Sequence, residues 1–256
     1  MSDMSTNLDV FGDNAAYSMR EATPLLLGGR VSWGATLDFC DSARTRGIAA
    51  LLLDADAAAL HRELCRSGRA MLHALPRIDP REQVTSKLRP FFDALAAGDT
   101  SCAQGLASGA RGAWNAEEEY EDDFLYVHFL MQRLSLGADA RACDAIVARW
   151  EAVLDGAADP RLGVAKSIAR GDGAAFAEAL EGLLAHERAR YAKLRRRAAL
   201  ADETDATEAR VSIEGIALTR VGRALGFTLP DDSWGVPSVA LVERPPAFTG
   251  DGWQSI

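Results

Sequence analysis

The densest set of groups that could do chemistry is Glu117-Glu118-Glu119-Tyr120-Glu121-Asp122-Asp123, six carboxylates within seven residues. Carboxylates one helical turn apart on one face could chelate magnesium, in the manner of Asp-rich prenyl-transfer helices. A second acidic set, Asp202-Glu203-Thr204-Asp205 with Glu208, supplies the partner such a site needs. It falls, however, in a stretch that reads as an exposed linker between helices. Two other readings stand beside the metal one. The run could present Glu117, Glu118, Glu119, Glu121, Asp122 and Asp123 to a basic partner protein. It could equally be an acidic helix start that complements the macrodipole ahead of an apolar helix.

The other reactive types are sparse. The histidines are His61, His73, His128 and His186, with no HExxH pair and no Glu three residues before any of them. His128 lies in an apolar helix and reads as a structural histidine. No Gly-rich dinucleotide loop, P-loop or GxSxG elbow is present. Two acids occupy apolar stripes. Glu187 lies between Leu183, Leu184 and Tyr191, and Glu214 shares a face with Val211, Leu218 and Val221. Both are expected to be buried polar groups satisfied inside the bundle, Glu214 by an arginine or by backbone donors. Gly215 and Gly222 beside Glu214 would let a neighbouring helix approach. The basic run Arg188, Arg190, Lys193, Arg195, Arg196 and Arg197 suits a helix C-terminus. No catalytic residue, metal or cofactor is assigned.

Composition narrows the function classes. The formal charge is −9, from 37 acidic and 28 basic side chains, which repels nucleic acid and attracts a basic protein. The longest purely apolar run, Ile48 to Leu53, is six residues, so neither a membrane span nor a signal peptide is expected. Cys40, Cys65, Cys102 and Cys143 lie apart among Ala and Leu, as reduced thiols acting as small hydrophobes. A cytoplasmic location follows.

The elements that must position these groups are helices. Hydrophobic residues make up 48% of the 256 and aromatics only 7%, and Ala and Leu dominate. Residues 1–35, with Pro24 and Gly28-Gly29, read as an irregular segment. A single all-helical domain is expected over 36–229, built as stacked antiparallel hairpins with little or no β-structure. Its first helices span 36–46 and 48–74 with an interruption near Gly47. Asp79-Pro80 opens another that runs towards Ala97, kinked or broken at Pro90. Gly98-Asp99, Gly171-Asp172 and, more loosely, Gly137-Ala138-Asp139 each end one helix and cap the next. Helices are then expected at 139–155, 173–197 and roughly 207–226, with a central apolar one from Phe124 to Leu136. The Pro-rich tail 230–256 should wrap the surface, loosest over 243–256.

From Asp122 to Leu241 the chain resembles the immunity protein 49 family, helical antitoxins encoded next to bacterial polymorphic toxins. Four segments carry the resemblance: Phe124-Leu125-Tyr126-Val127-His128-Phe129; Ala169-Arg170-Gly171-Asp172 leading into Phe176, Leu180, Leu183 and Leu184; Ser212-Ile213-Glu214-Gly215-Ile216-Ala217-Leu218 followed by Gly226; and Leu229-Pro230 with Trp234 and Pro237. It implies an immunity protein that binds a cognate toxin and occludes its active site, and it brings no catalytic residues. The chain's charge would suit a basic toxin such as a nuclease. The alternatives are a helical-repeat scaffold for a protein or peptide, and a magnesium-dependent helical enzyme using Asp122, Asp123 and the 202–208 carboxylates.

Overall fold

The computed structural model describes residues 2–29, 31–248 and 250–256; Met1, Arg30 and Thr249, which fall within the expected terminal segments, lie outside the described residues. Eleven α-helices follow one another among them: α1 (Ser2–Leu27), α2 (Trp33–Asp54), α3 (Ala57–Ala74), α4 (Pro90–Ala96), α5 (Thr100–Gly109), α6 (Glu121–Leu130), α7 (Ala140–Leu154), α8 (Pro160–Arg170), α9 (Gly173–Arg196), α10 (Asp202–Ala206) and α11 (Ile213–Ala224). The all-α class is as read from composition and periodicity.

Capping chemistry places most of these boundaries. The carboxylates of Asp99, Asp139 and Asp172 accept the backbone N–H of Cys102, Ala142 and Ala175, and so start α5, α7 and α9. Gly98, Gly137 and Gly171 ahead of them adopt positive φ of 75°, 69° and 65°. The chain can therefore reverse there without the penalty a Cβ would bring. Chain reversals after short connections make neighbours of consecutive helices: α1, α2 and α3 pack in series, as do α6, α7, α8 and α9. α11 then inserts between α4 and α9 and joins the two groups. A contiguous apolar core runs from Met19 to Trp253 and includes Phe39, Phe91, Phe124, Trp150 and Phe176.

Several expectations are corrected. Residues Ser2–Leu27 form a helix, not an irregular lead. Leu8, Ala15, Ala16, Met19 and Leu26 bury one face of it, and that burial outweighs the one helical N–H that Pro24 lacks near the C-terminal end. Gly47 does not interrupt α2. A Cβ there would sit 3.1 Å from Glu63 Cβ and 3.3 Å from Leu60 Cα, so the glycine admits close crossing by α3. The break comes instead at Ala55, in the left-handed region at φ 55°, with Asp56 capping α3. Asp79-Pro80 makes a turn in which Asp79 accepts the Arg81 N–H, and Pro90 begins α4 instead of kinking a longer helix. The 202–208 stretch is the short helix α10 with a turn after it, not an open linker. The tail carries short 3₁₀ turns, and its last residues are tied down, with Trp253 fully buried.

Gly215 and Gly222 do what their position beside Glu214 predicts. A Cβ on Gly215 would come within 2.7 Å of Leu184 Cδ2, and one on Gly222 within 2.6 Å of Phe176 Cε1. α11 and α9 thus approach closely enough to bring Glu214 and Glu187 to one place.

Candidate functional site

A cavity of about 770 Å³ opens where α6, α8, α9 and α11 meet the segments around Arg89 and Glu208. Its interior is built by hydrogen bonds that link residues far apart in sequence. Ser212, the N-cap of α11, accepts the Gly215 N–H at 3.0 Å and donates its hydroxyl to Glu187 Oε2 of α9 at 2.7 Å. Two residues on, Glu214 accepts the hydroxyl of Tyr126 from α6. Glu187 and Glu214 therefore line one cavity, both half-buried, and neither forms an ion pair among the described residues. The arginine expected to satisfy Glu214 is replaced by the phenol of Tyr126, because Arg161 is drawn to other acids.

Arg161 is the anchor of the opposite wall. It donates to Asp123 at 2.5 Å, to Asp122 at 3.1 Å and to Asp159 at 2.8 Å, and lies over the rings of Tyr126 and Trp150 at 5.4 and 6.0 Å. Burial works against its charge, yet the bonds to Asp159 and Asp123 hold its proton more firmly than usual. A second basic pair joins a buried arginine, Arg44, to a more exposed one, Arg89. Arg89 bonds Glu208 at 2.6 Å and Asp41 at 3.1 Å, and Arg44 bonds Asp93 at 2.7 Å. Burial alone would raise the Glu208 carboxyl, but Arg89 and Arg44 outweigh it and keep it below its ordinary value. At the mouth stand Glu118, Tyr120, Lys87 and Arg190, all exposed, with Arg190 over the Tyr191 ring at 4.4 Å.

The two unpaired carboxylates behave differently from Glu208. Burial pushes the Glu187 carboxyl up to about 7, with the Ser212 hydrogen bond opposing and the Glu214 charge adding to the rise. Glu214 is raised too, chiefly by burial. Between the ordinary glutamate value and about 7 the folded chain thus holds a proton that the unfolded chain has released, so Glu187 makes stability fall as pH rises through that window. Glu187→Gln should raise stability by on the order of 2 kcal/mol at pH 8 and by much less at pH 5. Thermal melts of both proteins at the two pH values measure the difference, and an equal gain at both would contradict it.

The acidic run is divided among several tasks. Glu121, Asp122 and Asp123 occupy the first turn of α6. Glu121 bonds Arg149 at 2.6 Å, and the two aspartates bond Arg161. Glu119 accepts the Ser86 N–H at 2.7 Å and the Asn115 N–H at 3.2 Å, pinning its loop. Glu117 and Glu118 are exposed. In the other acidic set Asp205 pairs with Arg195, Glu203 accepts the Thr45 hydroxyl at 3.1 Å and Glu208 pairs with Arg89. A dication at either set would have to displace these partners, and among the described residues no three His, Cys, Asp or Glu come together in metal-holding geometry. His128 is half-buried against Phe124, ring centroids 4.9 Å apart, and burial followed by the Arg149 charge holds it below the ordinary histidine value. The four cysteines are free and buried. Among the described residues no helix is long and apolar enough to cross a membrane.

Sequence reading singled out Glu187 and Glu214 but missed Arg44, Arg89, Arg161, Tyr126 and Glu208 as their surroundings. These side chains come from five separate segments, and no spacing in the chain signals that they meet.

The family model of immunity protein 49 matches residues 40–239, a span that contains every residue lining the cavity. No curated protein and no solved structure matches the chain. The match covers well over half of the sequence and includes the four segments that carry the resemblance. The chain belongs to the immunity protein 49 family.

Proposed function

We propose that this protein binds a cognate bacterial polymorphic toxin in the cytoplasm and neutralises it by covering the toxin's active site. The match to immunity protein 49 across 40–239 is the observation that supports this reading. Physical features agree with it. The charge of −9 favours fast capture of a basic toxin such as a nuclease and disfavours contact with nucleic acid or anionic membrane. Exposed Glu117 and Glu118 lie beside the cavity mouth, where they can meet such a partner. In this role the protein needs no cofactor and performs no catalytic step.

The test is co-expression with the toxin encoded beside its gene. Growth should be restored, and the two proteins should elute as a stable complex. Cells that die as fast with this protein as without it, and a mixture that elutes as separate species, would remove the proposal.

A further inference from the structure

Three of the arginines that line the cavity are already neutralised, Arg190 and Lys87 stand exposed at its mouth, and two of its carboxylates form no ion pair. Arg44, Arg89 and Arg161 face six acids, namely Asp93, Asp41, Glu208, Asp122, Asp123 and Asp159. Glu187 and Glu214 have only hydroxyl donors, Ser212 and Tyr126. Two carboxylates that share a cavity of about 770 Å³ and have no ion-pair partner are an arrangement that an incoming positive charge within bonding reach stabilises. We infer that the cavity receives a lysine or arginine side chain carried on a loop of the toxin, which pairs with Glu187 and Glu214. The inference rests on the immunity reading and specifies what the toxin presents. It adds an acidic contact in the interior to those that the exposed Glu117 and Glu118 offer outside.

The surroundings set the pH behaviour. Arg190 and Tyr191 from α9, Tyr126 and Asp123 from α6, Arg161 from α8, Arg89 and Lys87 ahead of α4, Arg44 from α2 and Glu208 after α10 all line the same space. Glu187 changes charge near neutrality, its carboxyl lying at about 7, and burial raises Glu214 in the same direction. Glu187 must lose its proton to pair with a cation. Binding should therefore tighten by about tenfold between pH 6 and pH 8 and release a proton at the lower value.

Calorimetric titration of the purified chain with its adjacent-gene toxin, at pH 6 and pH 8, tests this. Four proteins are compared: wild type, Glu187→Gln, Glu214→Gln and Glu21→Gln, the last an exposed carboxylate of α1 that does not line the cavity. Glutamine at 214 can still accept the Tyr126 hydroxyl, and loss of the raised acid at 187 favours the fold, so both variants stay folded. Each cavity variant should bind at least tenfold more weakly at pH 8, and Glu187→Gln should lose most of the pH dependence. Glu21→Gln should bind within about twofold of wild type. If wild type binds and both cavity variants bind equally well, the inference fails and the immunity reading stands. If wild type does not bind, both fail.

Discussion

Asp93→Ala should lower the midpoint of thermal unfolding by roughly 10 °C, the largest effect of any single substitution considered for this chain. Asp93 is fully buried on α4, where it accepts the guanidinium of Arg44 at 2.7 and 2.9 Å and the hydroxyl of Ser67 at 2.5 Å. These bonds tie α4 to α2 and α3. Burial works against the Arg44 charge, but Asp93, then Glu208 and Asp41, keep it protonated. Alanine at 93 removes its closest counter-charge without removing the cation. Stranding a buried ion in this way costs about 3–5 kcal/mol, whereas exchanging both partners for apolar groups is often neutral. The double variant Arg44→Met/Asp93→Leu should therefore recover at least half of the loss. Differential scanning calorimetry of the three proteins decides the matter. A single variant that melts with wild type, or a double variant no better than the single, would show that the pair is not what holds these helices together.

A comparable loss is expected for Arg66→Ala, with a different readout. Arg66 is 3% exposed and joins the tail to α3. It donates to the carbonyls of Trp253 and Ser255, the latter at 2.7 Å, bonds Glu63 at 2.8 Å and lies over the Phe248 ring at 4.9 Å. Trp253 is held in turn edge-on to Phe39, with centroids 5.6 Å apart. Without Arg66 the two carbonyls lose their donor and Glu63, itself 1% exposed, keeps only the longer contacts to Arg46 and Arg62 at 3.6 and 3.5 Å. Stability should fall by about 3 kcal/mol, and the amides of 250–256 should exchange with solvent far faster than those of α3. Exchange in the tail that stays as slow as in wild type would overturn this account.

The stability cost of Glu187 and the proposed grip on a cation are two sides of one arrangement. A carboxylate kept without a cationic partner destabilises the free protein above pH 7 and leaves a charge for an incoming group to satisfy. The paired carboxylates at Asp122, Asp123 and Glu208 lack that property, because arginines of the same chain already occupy them.

Local chemistry alone determined a good part of this protein. The helical class, the three Gly-Asp junctions, the helices near 100–108, 139–155 and 173–197 and the close approach at Gly215 and Gly222 follow from capping, periodicity and side-chain volume, all of which act within a few residues. Local signals also misled where tertiary contacts were stronger. Pro24 suggested irregular chain, yet burial of Met19 and Leu26 in the core supports a helix there; Gly47 suggested a break, yet it serves the crossing of α2 over α3. At the site, the positions of Glu187 and Glu214 on apolar stripes marked them as buried acids. Which donors they would meet was beyond any local signal. Tyr126 lies 88 residues from Glu214, and Ser212 lies 25 from Glu187. Arg161 could equally have gone to Glu214 but is taken by three aspartates, two of them 38 and 39 residues away. Competition among charges for a few cations is settled by the packing of whole helices, so only the tertiary structure decided which carboxylates remained unpaired.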